Sequence, residues 1–345
     1  MSAECALVIR TPSDLIAAVP YLLGYHPVDS VTMVGLSGTR VDFGACYDLP
    51  PPDCSADDAR EAARVIAETV ARQDAASIVI VGFGPAERVT PAVLRLTQAL
   101  QTLNVRVDDA MRVTDGRWWS YLCDDPRCCS PEGTACLPEH SVIAAEATLR
   151  GHVALPSRRE LVAQVAPVDG AARKAMVAAT ERARRRFTDL LADDLLGEDR
   201  DAARYGRMIR RAGRTAVREA ERRYRSGRTL TDDEAAWLGV LLVDKAVEDY
   251  AFDRAGPDEW RIRLWTDVLR RVEPAYVAAP ACLLGYSAWR SGRGALARVA
   301  VDRALREEPQ HQIAAMLHNL LGYGLSPHMV TGGESRIGIR RRSSR

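Results

Sequence analysis

Lysine is almost missing from this 345-residue chain: only Lys174 and Lys245 occur, so 45 of its 47 basic residues are arginine. The 46 acidic residues bring the formal net charge to +1, which excludes a protein whose whole surface is an anion-binding field. Aromatic residues make up only 6%. Long apolar runs are missing too. A spanning helix needs about 20 mostly apolar residues. Leu15 to Val28 and Pro274 to Trp289, apolar segments free of Asp, Glu, Lys and Arg, are shorter and contain proline. Glu4 stands near the start with no basic stretch ahead of an apolar run, so the N-terminus does not read as a secretory signal. Phosphate-loop, metalloprotease, kinase and calcium-loop spacings are absent. Gly82-Phe83-Gly84 opens like a dinucleotide fingerprint, but Pro85 follows and the third glycine is missing.

What is present is a globular composition, 47% hydrophobic and 27% charged, at a length that suits two domains. The expected location is cytoplasmic, away from membranes, where the eight cysteines stay reduced.

Residues 1–140 alternate strand-like and helix-like signals, as an α/β domain does. Thr11-Pro12-Ser13-Asp14 opens a helix to Leu23 that is apolar nearly all round, and Pro20 within it suggests a kink or a split. Val31 to Leu36 and Val41 to Tyr47 read as a hairpin around Ser37-Gly38-Thr39. Ser55 with Asp58 starts a second helix, and Ser77 to Phe83 reads as a strand buried on both faces. Thr90-Pro91 leads into a third helix, followed by strands Val105 to Val113 and Trp118 to Leu122 about the Asp115-Gly116 turn. The expectation is a small mixed sheet with packed helices, closed by a cysteine-rich loop.

Residues 141–328 read as an all-helical domain, with capping boxes at Ser157/Glu160 and Thr231/Glu234. Leu284-Gly285, Ala288, Gly292, Ala297, Val301, Ala304 and Pro309 fall at the spacings of one tetratricopeptide helix pair. Solenoids need about three such copies, so a lone helical hairpin is expected rather than a superhelix. Residues 329–345 read as a disordered arginine-rich tail.

Three features carry candidate chemistry. Cys123, Cys128, Cys129 and Cys136 fall within 14 residues, where an even spread of cysteines would put about 0.3. Four thiolates, or three with His140, suit zinc, although paired Cys-x-x-Cys knuckles are absent. Buried thiols in a turn fit as well, and a nucleophilic or redox thiolate would have only Arg127 as a nearby cation. The bend Gly24 to Ser30 offers His26, Asp29 and Ser30 at a sheet edge, each of which also has an ordinary turn role. On a strand, Trp118 and Ser120 share one face while Trp119 and Tyr121 share the other; Ser120 as a nucleophile would need a base. Lastly, residues 181–228 carry 15 arginines against 9 acids, which reads as a solvated, salt-bridged helix more readily than as a nucleic-acid surface.

Several of these segments together resemble an uncharacterised actinobacterial family, domain of unknown function 4192. The resemblance rests on Thr11-Pro12-Ser13-Asp14-Leu15, on Pro20 to Pro27 with Asp29-Ser30, and on Asp115 to Ser120 with Cys123, Cys128 and Cys129. Pro131-Glu132-Gly133, Ala288-Trp289, Gly292, Gly294 to Ala297 and Ala304-Leu305 complete it. It spans roughly residues 7 to 325. It implies no activity, and it matches Cys128-Cys129 without obviously requiring Cys136, which favours a turn or a three-ligand site over four thiolates. The leading functional expectation is a binding or regulatory protein with a small-ligand pocket or a partner surface. The alternative is a small-molecule enzyme built from His26, Asp29, Ser120 and the Cys123 to Cys129 segment.

Overall fold

The computed structural model describes residues 7–38, 40–73, 75–127, 129–136, 141–149, 153–192, 202–325, 327 and 339–341. The elements begin with β1 (Leu7–Ile9), α1 (Pro12–Leu23), β2 (Ser30–Ser37), β3 (Arg40–Asp48), α2 (Ala56–Ala71), β4 (Ser77–Phe83), α3 (Ala86–Thr102), β5 (Val107–Thr114), β6 (Arg117–Ser120) and β7 (Thr134–Ala135). Helices follow: α4 (Val142–Leu149), α5 (Arg158–Gln164), α6 (Gly170–Ala192), α7 (Ala202–Arg225), α8 (Asp232–Leu241), α9 (Lys245–Asp253), α10 (Glu259–Arg271), α11 (Ala278–Arg290), α12 (Gly294–Glu307) and α13 (Gln312–Gly322). A 3₁₀ turn at Pro274–Tyr276 precedes α11, and β8 (Ile339–Arg341) comes last. Contacts divide the chain into residues 1–161 with 322–345, and residues 162–321. The division falls after 161 rather than at 140 because α4 packs against α1 and β1.

In the first unit the described strands form one mixed sheet in the order β1-β8-β3-β2-β4-β5-β6-β7. β2 pairs antiparallel with β3 and β4, while β4 and β5 run parallel. β5 and β6 meet at Asp115-Gly116, both at positive φ as a tight hairpin requires. Val31, Met33, Ile78, Ile80 and Ala110 point to one face and pack with Ala63 and Ala67 of α2 and with Val89, Val93 and Leu96 of α3. α1 crosses the other face: Trp118 Nε1 donates to Ser13 Oγ at 3.1 Å near its start. Leu22, near its end, lies 3.6 Å from where a β-carbon on Gly44 would sit.

Local sequence explains most element ends. Thr11 and Asp14 form the expected capping box, and Gly24, at φ 81, closes α1. α1 is not split: it continues through Pro20, whose missing donor is outweighed by burial from Leu15 to Pro20. α3 starts at Ala86, before the Thr90-Pro91 signal, because its buried stripe already begins at Val89. Ile339–Arg341, from the arginine-rich end, pair parallel with β1.

The second unit is helical throughout its described residues. α11 and α12 form a close antiparallel hairpin, in which a β-carbon on Gly285 would stand 2.7 Å from Val301 Cγ2 and 3.5 Å from the Ala297 carbonyl. Among the described residues, no helix is long and apolar enough to cross a membrane.

Candidate functional site

The sheet separates the residues that the sequence nominates. His26 lies in the bend before β2, its backbone N–H donating to the Leu155 carbonyl at 2.8 Å. Asp29, at φ 46, pairs with Arg88 Nη1 at 2.9 Å. Ser30 lies beside Phe83, which pairs with Val113, then Trp118, then Thr134. Four strand spacings, about 19 Å, therefore separate the histidine bend from β7 and from Cys136 just beyond it. Ser120 is level with Thr32 but three spacings away, about 14 Å. Its hydroxyl donates to Asp109 Oδ1 at 2.7 Å and accepts from the Leu122 N–H at 3.1 Å, a turn-forming role with no histidine. His26, Asp29 and Ser120 thus do not converge, and the enzyme reading built on them has no assembled site.

The cysteine loop is likewise spread out. The Cys136 N–H donates to the Gly116 carbonyl at the start of β6, whereas Cys123 follows its far end, past Tyr121. Burial pushes the Cys136 thiol up. Arg127 is held by Asp125, whose carboxyl it lowers through their hydrogen bonds, so it does not serve a thiolate. Among the described residues, no three His, Cys, Asp or Glu side chains come together as a metal shell; Cys128 and His140 lie outside those residues. The loop's visible contacts are structural. Trp119 Nε1 donates to the Pro131 carbonyl at 3.1 Å, and Arg112 stacks on the same ring at 3.9 Å. Gly133, at φ 77, leaves room that a β-carbon, 2.4 Å from that indole, would remove.

A cavity of about 410 Å³ lies instead within the helical unit, at the first turns of α9, α11 and α13. Asp244 caps α9 by accepting from the Ala246 and Val247 N–H groups, which turns Lys245 and Glu248 toward the cavity. His311 plays the corresponding part for α13, its Nδ1 accepting from the Ala314 N–H at 3.3 Å. Gly239 of α8 lets the end of α10 and the 3₁₀ turn approach, since a β-carbon there would stand 2.7 Å from Val272 Cγ1 and 3.6 Å from Tyr276 Cβ.

Glu248 is the electrostatic centre. Its side chain is only 5% exposed, with His311 Nε2 3.2 Å from Oε1 and Lys245 Nζ 3.5 Å from Oε2. The His311 contact is ionic but poorly aligned, leaving Oε1 without a well-formed hydrogen bond. Contact with Glu248 raises the His311 pKa against the opposing effect of burial. Lys245 is raised chiefly by its bond to Asp249. Behind the histidine, Cys282 Sγ lies 3.7 Å from Nδ1, fully buried and held protonated by that burial. Both His311 nitrogens are engaged, one with the helix cap and one with Glu248. Sequence reasoning missed this cluster because these residues sit on three separate helices; the only local signal was Asp244 as an N-cap.

A family described as a domain of unknown function (DUF4192) matches residues 12–328. The chain belongs to this family. The match takes in strands β2 to β7, the cysteine loop and the whole cavity of this DUF4192 protein. No curated protein and no solved structure matches the chain. Trp118, Trp119 and Gly133 have packing and turn-forming contacts here.

Proposed function

We propose that the protein is a small-molecule-binding regulatory protein whose ligand occupies the cavity of the helical unit. The observation that carries this reading is a nearly buried carboxylate, Glu248, lining a cavity of ligand size between a lysine and a histidine. Lys245 is 58% exposed and is the movable member of the cluster. A ligand amine or amide can take its place beside Oε2, while Val243 and Ala279 offer apolar contact. The α11–α12 hairpin, read as a tetratricopeptide-like pair, supplies one wall through Ala278 and Ala279. A cytoplasmic, reducing location accords with the thiol state of Cys46, Cys54, Cys123, Cys136 and Cys282.

A thermal-shift screen of amine- and amide-bearing metabolites tests the proposal. A ligand at a hundred times its Kd adds about 2.7 kcal/mol, or several degrees of melting temperature for a unit of this size. That shift is expected to vanish in Glu248→Gln and in Val243→Trp, which fills the mouth from a position 66% exposed. Shifts retained in both variants, or no hit on the wild type, contradict the reading.

A further inference from the structure

α7 carries nine arginines against two glutamates, in a protein whose net charge is only +1. Six of those arginines, Arg207, Arg211, Arg214, Arg218, Arg222 and Arg225, recur at spacings of three and four residues. They share one side of the helix over about 27 Å. All six are exposed. The opposite side, with Gly213, Val217, Ala220 and Tyr224, is buried in the unit; a β-carbon on Gly213 would stand 2.3 Å from Val247 Cγ2.

Neutralisation distinguishes this stripe from the other basic segment. Arg182 and Arg184 of α6 pair with Asp233 and Glu273. On α7, Arg222 pairs with Glu219, but Arg211, Arg214, Arg218 and Arg225 have no ion-pair partner among the described residues. Two of these four are stacked instead, Arg214 at 5.2 Å over Tyr250 and Arg225 at 4.8 Å over Trp260. Stacking on a ring fixes the guanidinium plane and leaves its N–H edges pointing outward. It also covers the ring, so these aromatics do not offer bases a stacking platform as single-strand binders do.

We propose that the exposed stripe of α7 is a binding surface for the phosphate backbone of duplex nucleic acid, independent of base sequence. About 27 Å of duplex presents roughly eight phosphates on one strand, enough for every guanidinium in the row. An anionic membrane is disfavoured because the helix's apolar side is already buried in the protein, leaving none to enter a bilayer interface. The surface is separate from the Glu248 cavity and stands or falls apart from it.

Fluorescence anisotropy of the full-length protein with two unrelated 24-base-pair duplexes tests the inference. Both duplexes should bind alike at 50 mM salt. For five neutralised phosphates the affinity should fall roughly 500-fold by 200 mM. The triple variant R211E/R214E/R218E should lose at least 100-fold at 50 mM salt. The charge-matched control R60E/R64E/R106E, at exposed positions of the other unit, should stay within threefold. Should the triple variant fail to fold, single Arg218→Glu, with unchanged melting, should lower the salt slope by about one. Absence of wild-type binding at 50 mM salt, a loss under tenfold in the triple variant, an equal loss in the control or an unchanged slope in Arg218→Glu overturns the proposal. So does tighter binding to phosphatidylserine vesicles than to either duplex.

Discussion

His311 meets two opposite demands. As the cap of α13 its Nδ1 must accept the Ala314 N–H, which favours the neutral ring, while Glu248 beside Nε2 favours the charged one. The carboxylate prevails, and the pKa is raised above the ordinary 6.5. The folded protein therefore holds the proton more tightly than the unfolded chain does. This contribution is complete below about pH 6.5 and is lost as the pH rises through the raised folded value. Melting temperatures of wild type and His311→Gln should differ most near pH 6 and draw together toward pH 9. A gap that widens with pH contradicts the assignment. Nothing in the sequence around His311 announced this, because Glu248 and Lys245 reach it only through tertiary packing.

At the scale of elements, the α11–α12 hairpin shows how one missing side chain fixes a helix pair. In most helices Gly→Ala gains up to about 1 kcal/mol. At Gly285 the new methyl would press on the stiff Val301 side chain, and overpacking costs about 1–3 kcal/mol. Gly285→Ala should therefore destabilise the wild type by about 1 kcal/mol, yet stabilise a Val301→Ala background. Denaturant unfolding of the four proteins measures this, and additive effects would contradict it. Elements whose identity is set within a few residues were legible: the Thr11/Asp14 and Thr231/Glu234 capping boxes and the Asp115-Gly116 turn. Pro20 and Pro91 misled because burial of a whole helical stripe outweighs one absent donor.

At the scale of the molecule, the α/β-then-helical order was readable from the alternation of patterns. The position of the site was not. The nominated residues surround β2 and β6, and the enzyme alternative needed the sheet to bring them together; β4 and β5 lie between those strands. The α7 stripe was visible only as an excess of arginine, since separating it from the neutralised α6 required knowing which carboxylates each helix meets. The two units should also respond separately. Gly285→Ala should speed amide exchange in α11 and α12 and leave β2, β4 and β5 protected; faster exchange in those strands would mean that the units share one cooperative core.

Hydrogen exchange with and without the most stabilising amine tests the central claim most directly. New protection is predicted in the first turn of α9, from Lys245 to Glu248, and at the start of α13 about His311. Protection confined to residues 24–30 or 123–136, with both of those turns unchanged, would contradict it.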